Sequence, residues 1–460
     1  MARLHFNTNK SANQIFEERV KNMENSSIKS TTIFKVNVAL RESNPDAYTP
    51  KVISIGPYHN KIPQLGSMEK YKMLYLQRFL KRKNEIDVKS CISEIEKLKD
   101  EALKCYDDNL DSDIVVKFSQ MLLLDGCFIV EFIRERCGRK PREEDEIINR
   151  EWMMLQVCRD MLLLENQLPY FVLTVLHEMT KYPTEPNLIK MVKSTFDDRF
   201  PNKYPEIIDG IAPQQPDHLL HVLHMLSRPS KMQNNTSETT NGSTRKECCN
   251  KSFLGKFIQK EMPDEVSGWE CCQIPSATEL YEAGVNFKKI GALGEDIKDK
   301  TTLFDIEFKH GLFEIPCFAV EDTLEPFLRN MIAYEQHSSR LHLKYYTDYG
   351  WIMSQLIVSH KDVNLLRQNG IIFNEIGDDK QVATIFNKLT QGVTTSIDFY
   401  CSEECSKIIQ HCENPWNQMM AKLRHNYFQS PWAGASTVAA IVLLLLTVTQ
   451  TVLSLISALK

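Results

Sequence analysis

From Gly434 to Leu459 the chain runs 26 residues without a charged side chain (GASTVAAIVLLLLTVTQTVLSLISAL). About 20 apolar residues cross a bilayer core as a helix, so this run is long enough to span with room to tilt. The competing reading is a buried core helix, which seldom stays uncharged for so long at a chain terminus. The expectation is a transmembrane helix over 432–459, embedded through 434–459, with everything before it hung from the membrane by its C-terminus.

Orientation follows from what flanks the run. Lys422, Arg424 and the neighbouring His425 precede it, against Lys460 alone after it, and Lys and Arg accumulate on the cytoplasmic side. Tyr427 and Trp432 suit an aromatic belt at the headgroups. The N-terminus (MARLHFNTNKSANQIFEERVK) has no apolar core of signal-peptide length. The body is therefore expected in the cytosol, at the plasma membrane or an endomembrane. Sequons at Asn25, Asn234, Asn235, Asn241 and Asn250 are then never used, which makes them reporters of topology.

Composition excludes more than it selects. With 42% hydrophobic and 25% charged residues the chain can bury a core, and a net charge of −5 lacks the basic signature of nucleic-acid binding. Thirteen cysteines, an odd number in a long chain without a secretory signal, read as reduced thiols. Cys401, Cys405 and Cys412 beside His411 have a spacing that a zinc site shares with one face of a buried helix. No metal or other cofactor is expected. No Gly-rich phosphate loop, GxSxG elbow, HExxH or kinase signature set occurs.

The pattern along the chain is mainly helical. Residues 1–33 are polar and read as flexible, with one short helical candidate at Gln14–Lys21. A helical body is expected over 34–430. Lys51–His59 (KVISIGPYH) reads as an extended segment closed by Gly-Pro. Amphipathic spacing predicts helices at Met68–Lys83 and Asp87–Tyr106. Phe118–Ile133 and Val157–Leu176 are apolar enough to be buried on most sides, the second breaking near Leu168 because Pro169 disfavours helix before it. In DHLLHVLHML, an ordinary amphipathic helix capped by Asp217 competes with metal binding by His218, His221 and His224, whose three-residue steps should fan them apart. Arg228–Lys251 is Asn-, Ser- and Thr-rich and reads as a disordered insertion, with an interdomain linker as the alternative.

After Pro275 the pattern changes. Ser276 to Glu279 has capping-box spacing and Gly284 a stop. Leu303–Phe308 alternates, His310-Gly311 turns the chain and Leu312–Ile315 returns it, so a small antiparallel hairpin is expected, with Phe318–Val320 as a third strand. Helices follow at Asp322 onward, Tyr346–Ser359, Lys361–Gln368, Lys380–Gln391 and Glu403–Phe428, the last broken or bent at Pro415. The fold class is thus mainly α with a small antiparallel hairpin or meander and a C-terminal transmembrane helix.

Carboxylates in the apolar stretches are the chemistry-bearing candidates: Asp125, Glu131, Asp160 and Glu165. Buried carboxylates cost free energy unless paired. Two facing a cleft could act as acid and base, as in glycoside hydrolysis. Otherwise they bind backbone amides or pair with Arg134, Arg136 and Arg159. Asp125, Glu131, Glu165, Asn166 and Gln167 form the candidate polar cluster, and no residue is assigned a catalytic role.

The ordered blocks VISIGPYH (52–59), MLLLDGCFIVEF (121–132), DMLLLENQLPYFVL (160–173), ATELYEAGVNFKK (277–289), IPCFAVEDTLEPFLRNMIAYEQ (315–336) and YFQSPWAGAS (427–436) resemble the plant family known as domain of unknown function 247. The resemblance covers roughly 34–460. It implies a single-pass protein with a C-terminal anchor and no accepted catalytic residues; some grass members are associated with self-incompatibility recognition. The expected function is a membrane-anchored protein-interaction or signalling component, the alternative a membrane-bound hydrolase. Other proteins are the expected partners, and polar residues Thr447, Thr449, Gln450 and Thr451 within the span make a homo-oligomer feasible.

Overall fold

The structure, a computed structural model, describes residues 31–83, 86–106, 110–138, 145–196, 215–229, 273–291, 301–341, 343–394, 399–427 and 431–458. The helical candidate at Gln14–Lys21, nearly all of the N-terminal segment and the polar insertion from 230 onward lie outside them.

Helix accounts for 62% of the described residues, roughly twice the ordinary share. The first half is arranged around its longest helix, Phe118–Cys137. In chain order its helices are α1 (Val38–Ser43), α2 (Glu69–Leu80), α3 (Val88–Lys104), α4 (Ser112–Val116), α5 (Phe118–Cys137), α6 (Glu151–Asp160), α7 (Tyr170–Thr180), α8 (Leu188–Phe196) and α9 (Leu219–Leu226). Helix α5 is buried along most of its length and packs against α2, α3, α7 and α8. Burial on nearly every side explains why its apolar residues follow no single stripe. At Gly126 a Cβ would collide with Leu176 of α7, so the absent side chain is what lets the two helices close.

The second half adds α10 (Ala277–Glu282), β1 (Asn286–Ile290), β2 (Glu307–Lys309), β3 (Leu312–Pro316), β4 (Phe318–Val320), α11 (Leu324–His337), α12 (Tyr345–Leu356), α13 (His360–Gln368), β5 (Ile372–Asn374), α14 (Asp379–Leu389), α15 (Ser402–Glu413), α16 (Pro415–Tyr427) and α17 (Pro431–Ala458). Both capping devices at α10 form: the Ser276 hydroxyl accepts from the Glu279 amide, and the Glu279 carboxylate accepts from the Ser276 amide. No side-chain cap forms at Thr323, the N-cap of α11.

The sheet differs from the expected meander. The β2–β3 hairpin is antiparallel as expected, turning through His310 and Gly311 at φ 51° and 76°, but of the alternating run Leu303–Phe308 only Glu307 and Phe308 are in the strand. Its third strand, however, is β1, paired parallel to β3. Phe318–Val320 belongs elsewhere, paired parallel with Ile372–Asn374. Both crossovers are long-range, and nothing local in a strand of three to five residues specifies a partner that distant.

One helix boundary also moved. Apolar continuity from Val157 to Leu176 hides a stop: α6 ends at Asp160, eight residues before the predicted break at Leu168, and α7 starts at Tyr170 just after Pro169. The break expected at Pro415 is present: the long C-terminal helix is two, with Pro415 opening α16 as its first residue.

Helix α17 contains the apolar run, and Ala435–Ser457 is long and apolar enough to cross a membrane. At 28 residues, α17 is about 42 Å long at the standard rise.

Candidate functional site

The blocks 160–170 and 51–56 meet in the core, and neither is regular. Residues 161–169 join α6 to α7 as a non-helical segment in which Met161, Leu163, Leu164, Asn166, Gln167 and Leu168 are almost wholly buried. Buried backbone polar groups must find partners, and where turn hydrogen bonds such as that from the Asn166 amide to the Leu163 carbonyl do not supply them, side chains must. Asn166 and Gln167 supply them. The Gln167 amide nitrogen donates to the carbonyls of Met161 (2.7 Å) and Leu163 (2.9 Å), and its oxygen accepts from the Leu220 amide (3.2 Å). Asn166 Nδ2 donates to the carbonyls of Asp160 (2.8 Å) and Ile53 (3.1 Å). From the other half of the body, Asn330 of α11 accepts from the Leu164 amide (2.8 Å) and donates to the carbonyls of Ala47 and Pro326.

Residues 51–56, expected as an extended segment, form no strand and bend at 51, 52 and 56; side chains take the place of a neighbouring strand. The Asp160 carboxylate accepts from the amides of Lys51 (3.0 Å), Val52 (2.7 Å) and Ile53 (3.0 Å). Asn166 Oδ1 accepts from Ile55 (2.7 Å), and Asp125 Oδ2 accepts from Gly56 (2.9 Å). Gly56 sits at φ +72°, and a Cβ there would stand 2.7 Å from the Gln167 carbonyl, so backbone strain and space both demand glycine. The charges are matched locally. Lys72 Nζ lies 2.7 Å from Asp125, and Arg159 lies 2.7 Å from Asp160 while donating to the Thr49 and Asp46 carbonyls.

Glu165 ties in the segment that leads into α1. It accepts from the Val36 amide (2.6 Å), meets Arg41 at 2.5 Å and lies 3.2 Å from His59 Nε2. Asp125, Glu165, Asn166 and Gln167 therefore hold one continuous arrangement. Glu131 does not join it. Two turns further along α5, it accepts from Arg82 (2.7 Å) and Arg134 (2.8 Å), and Arg134 continues to Glu185 at 2.6 Å. Asp160 and Asn330 are as central to the arrangement as the four candidates that join it; a polar residue inside an apolar run was their only sequence signal.

Each carboxylate has its own electrostatic balance. Burial pushes Asp125 above the usual range, outweighing Lys72 and the Gly56 amide, and pushes Asp160 up against its amide donors. For Glu165 burial acts in the same direction, but His59, Arg41 and the Val36 amide outweigh it and hold the carboxyl below its ordinary value. Acid–base catalysis needs a carboxylate free to exchange a proton with substrate. Here the oxygens of Asp125, Asp160 and Glu165 are spent on amides and cations. A cavity of about 30 Å³ lies beside Arg159, lined by Leu155, Cys158, Leu162, Leu163 and Phe327 among others, which is room for a water. Ligand pockets are typically about ten times larger.

The histidines also end differently from their predicted fan. His218, not Asp217, caps α9, its Nδ1 accepting from the His221 amide. The rings of His218, His221 and His224 gather on Tyr334, with centroids 4.9, 5.3 and 5.6 Å away. Burial pushes His218 down to about 3, so it is neutral. His221 faces Asp217 at 3.2 Å and His224 meets Glu335 at 2.8 Å. Among the described residues no group of three or more His, Cys, Asp or Glu is placed to hold a metal ion, and the ring of His411 packs on Phe308.

Two expectations follow. Asp160→Ala strands the buried Ile53 amide, the half-buried amides of Lys51 and Val52, and Arg159, and should cost about 3 kcal/mol or more in a denaturant melt of the detergent-solubilised chain, with Asp160→Asn milder. A loss under about 1 kcal/mol would show that the amides are satisfied otherwise. For Glu165 the sign runs toward acid: a lowered folded pKa contributes stability that is present above about 4.5 and is lost as pH falls through the folded value. Melting temperature followed from pH 6 to 3 should therefore fall less steeply in Glu165→Gln than in the parent, from a lower start.

Known proteins place the chain as follows. It is 27% identical to the UPF0481 protein At3g47200 of Arabidopsis thaliana over 96% of this chain and 90% of that protein. It is 24% identical to the putative UPF0481 protein At3g02645 of Arabidopsis thaliana over 91% and 89%. No solved structure matches it significantly. A family model described as a plant protein of unknown function matches residues 33–446, and the chain belongs to that family, domain of unknown function 247.

Proposed function

We propose that this is a single-pass membrane protein, anchored through residues 434–459, whose helical body works on the cytosolic side as a protein-interaction or signalling component. The observation that carries the reading is α17. Ala435–Ser457 has the length and apolarity of a span, and no part of that window is buried against the body. An apolar helix of this size with no protein surface to cover it is stable in lipid and costly in water. Lys422 and Arg424 on the body side favour a cytosolic body. The site chemistry supports a binding role over hydrolysis, because its carboxylates hold backbone and cations together.

Self-association through the span is part of the same proposal. Thr447, Thr449 and Thr451 return their hydroxyls to the carbonyls of Leu443, Leu445 and Thr447, each at 2.7 Å. The Gln450 amide, between them in sequence, has no such intrahelical bond. In hydrocarbon an amide gains by pairing with its copy on a neighbouring helix, an interaction of order 1 kcal/mol.

Anchoring is tested by fractionation: the intact chain should stay in the pellet after alkaline carbonate extraction, and a chain ending at Ser430 should leave it. Equal behaviour of the two, or glycosidase-sensitive sugar on Asn235, would overturn the anchor or its orientation. Gln450→Leu should weaken a cross-linked dimer in membranes, and an unchanged dimer would remove Gln450 from the contact.

A further inference from the structure

We propose that the outer face of α16 lies in the headgroup layer of the membrane that α17 crosses, as an in-plane anchor. This rests on the reading of α17 as a span. Only residues 428–430 separate α16 from α17, and at no more than about 3.6 Å per residue they hold the end of α16 close to the start of the span.

One side of α16 faces the body. It packs against α10 and α15. Arg424 donates to the Tyr281 carbonyl at 2.8 Å and lies 5.8 Å from the Tyr281 ring. The other side carries Trp416, Met419 and Leu423, exposed by 66%, 51% and 41%. Steps of three and four residues put them in one stripe. Outside α17, no other helix among the described residues exposes three large apolar side chains at i, i+3 and i+7. A contiguous apolar face of this kind marks an interaction surface.

Three features choose lipid as the occupant. The face adjoins the span. Its largest member is tryptophan, whose amphipathic ring favours the headgroup level. And α16 (PWNQMMAKLRHNY) contains no acid, while Lys422 stands exposed beside the stripe, complementary to an anionic leaflet. Seated this way, α16 would fix the tilt of the body above the membrane, with α10 riding on its inner face.

The test uses the full-length chain in phosphatidylcholine–phosphatidylserine vesicles whose acyl chains carry bromine near the headgroup or deep in the core. Trp416→Phe should remove about half of the lipid-quenched emission, since Trp416 and Trp432 are the tryptophans beside the span. The loss should be greater with shallow than with deep bromine. Carbonate resistance should stay unchanged, because α17 is intact. Equal quenching in the two proteins overturns the proposal while leaving the anchor standing. A chain that carbonate extracts overturns both. A triple variant, Trp416→Glu, Met419→Glu and Leu423→Glu, separates lipid from a second copy: loss of a cross-linked dimer with equal quenching assigns the face to protein, and an unchanged dimer with reduced quenching of the remaining tryptophans assigns it to lipid.

Discussion

Six residues, Lys51 to Gly56, run from the surface into the core without a neighbouring strand, and the packing of the first half depends on how their amides are answered. Asp160, Asn166 and Asp125 do it from two different helix contexts. An amide buried without a partner costs about as much as a sizeable fraction of net stability. A side-chain answer is also a positional one. Asp160 can reach Lys51, Val52 and Ile53 only if α6 stops where it does, and Asn166 can reach Ile55 only if 161–169 stays irregular.

The same segment binds the two halves of the body. Asn330 of α11 completes the Leu164 amide, Gln167 completes the Leu220 amide at the start of α9, and Glu165 holds Val36 and Arg41. Polarity this dense inside a hydrophobic core is stabilising only when nearly every group is satisfied, so the network acts as a unit. It is also why these residues are poor candidates for chemistry. A group whose oxygens already serve backbone amides and fixed cations has little left to offer a substrate.

Opposite requirements govern the end of the chain. The body satisfies polarity inside a core; α17 leaves apolar surface outside one. Between them α16 presents both characters, bound to the body through Arg424 and bare through Trp416, Met419 and Leu423. That sequence of environments, from packed core to half-covered helix to uncovered helix, is what the proposed seating on a bilayer requires.

Much of this was legible in the residues themselves. Helix periodicity located most helices to within a few residues, Ser276–Glu279 announced its capping box, and the alternation around Phe304, Ile306 and Phe308 pointed to the hairpin. Family membership was readable from its blocks, and the length of the uncharged run defined the apolar helix. All of these are local properties, set by side-chain period, dihedral preference and transfer free energy. The partner of β1, the separate pairing of β4 with β5, the early end of α6 at Asp160 and the convergence of three histidines on Tyr334 depend on contacts between residues far apart in sequence. So does the division of the carboxylates, Asp125 and Glu165 with the clamp and Glu131 with Arg82 and Arg134. A buried polar residue announces that it needs a partner, but which partner it finds is decided only when the chain has closed around it.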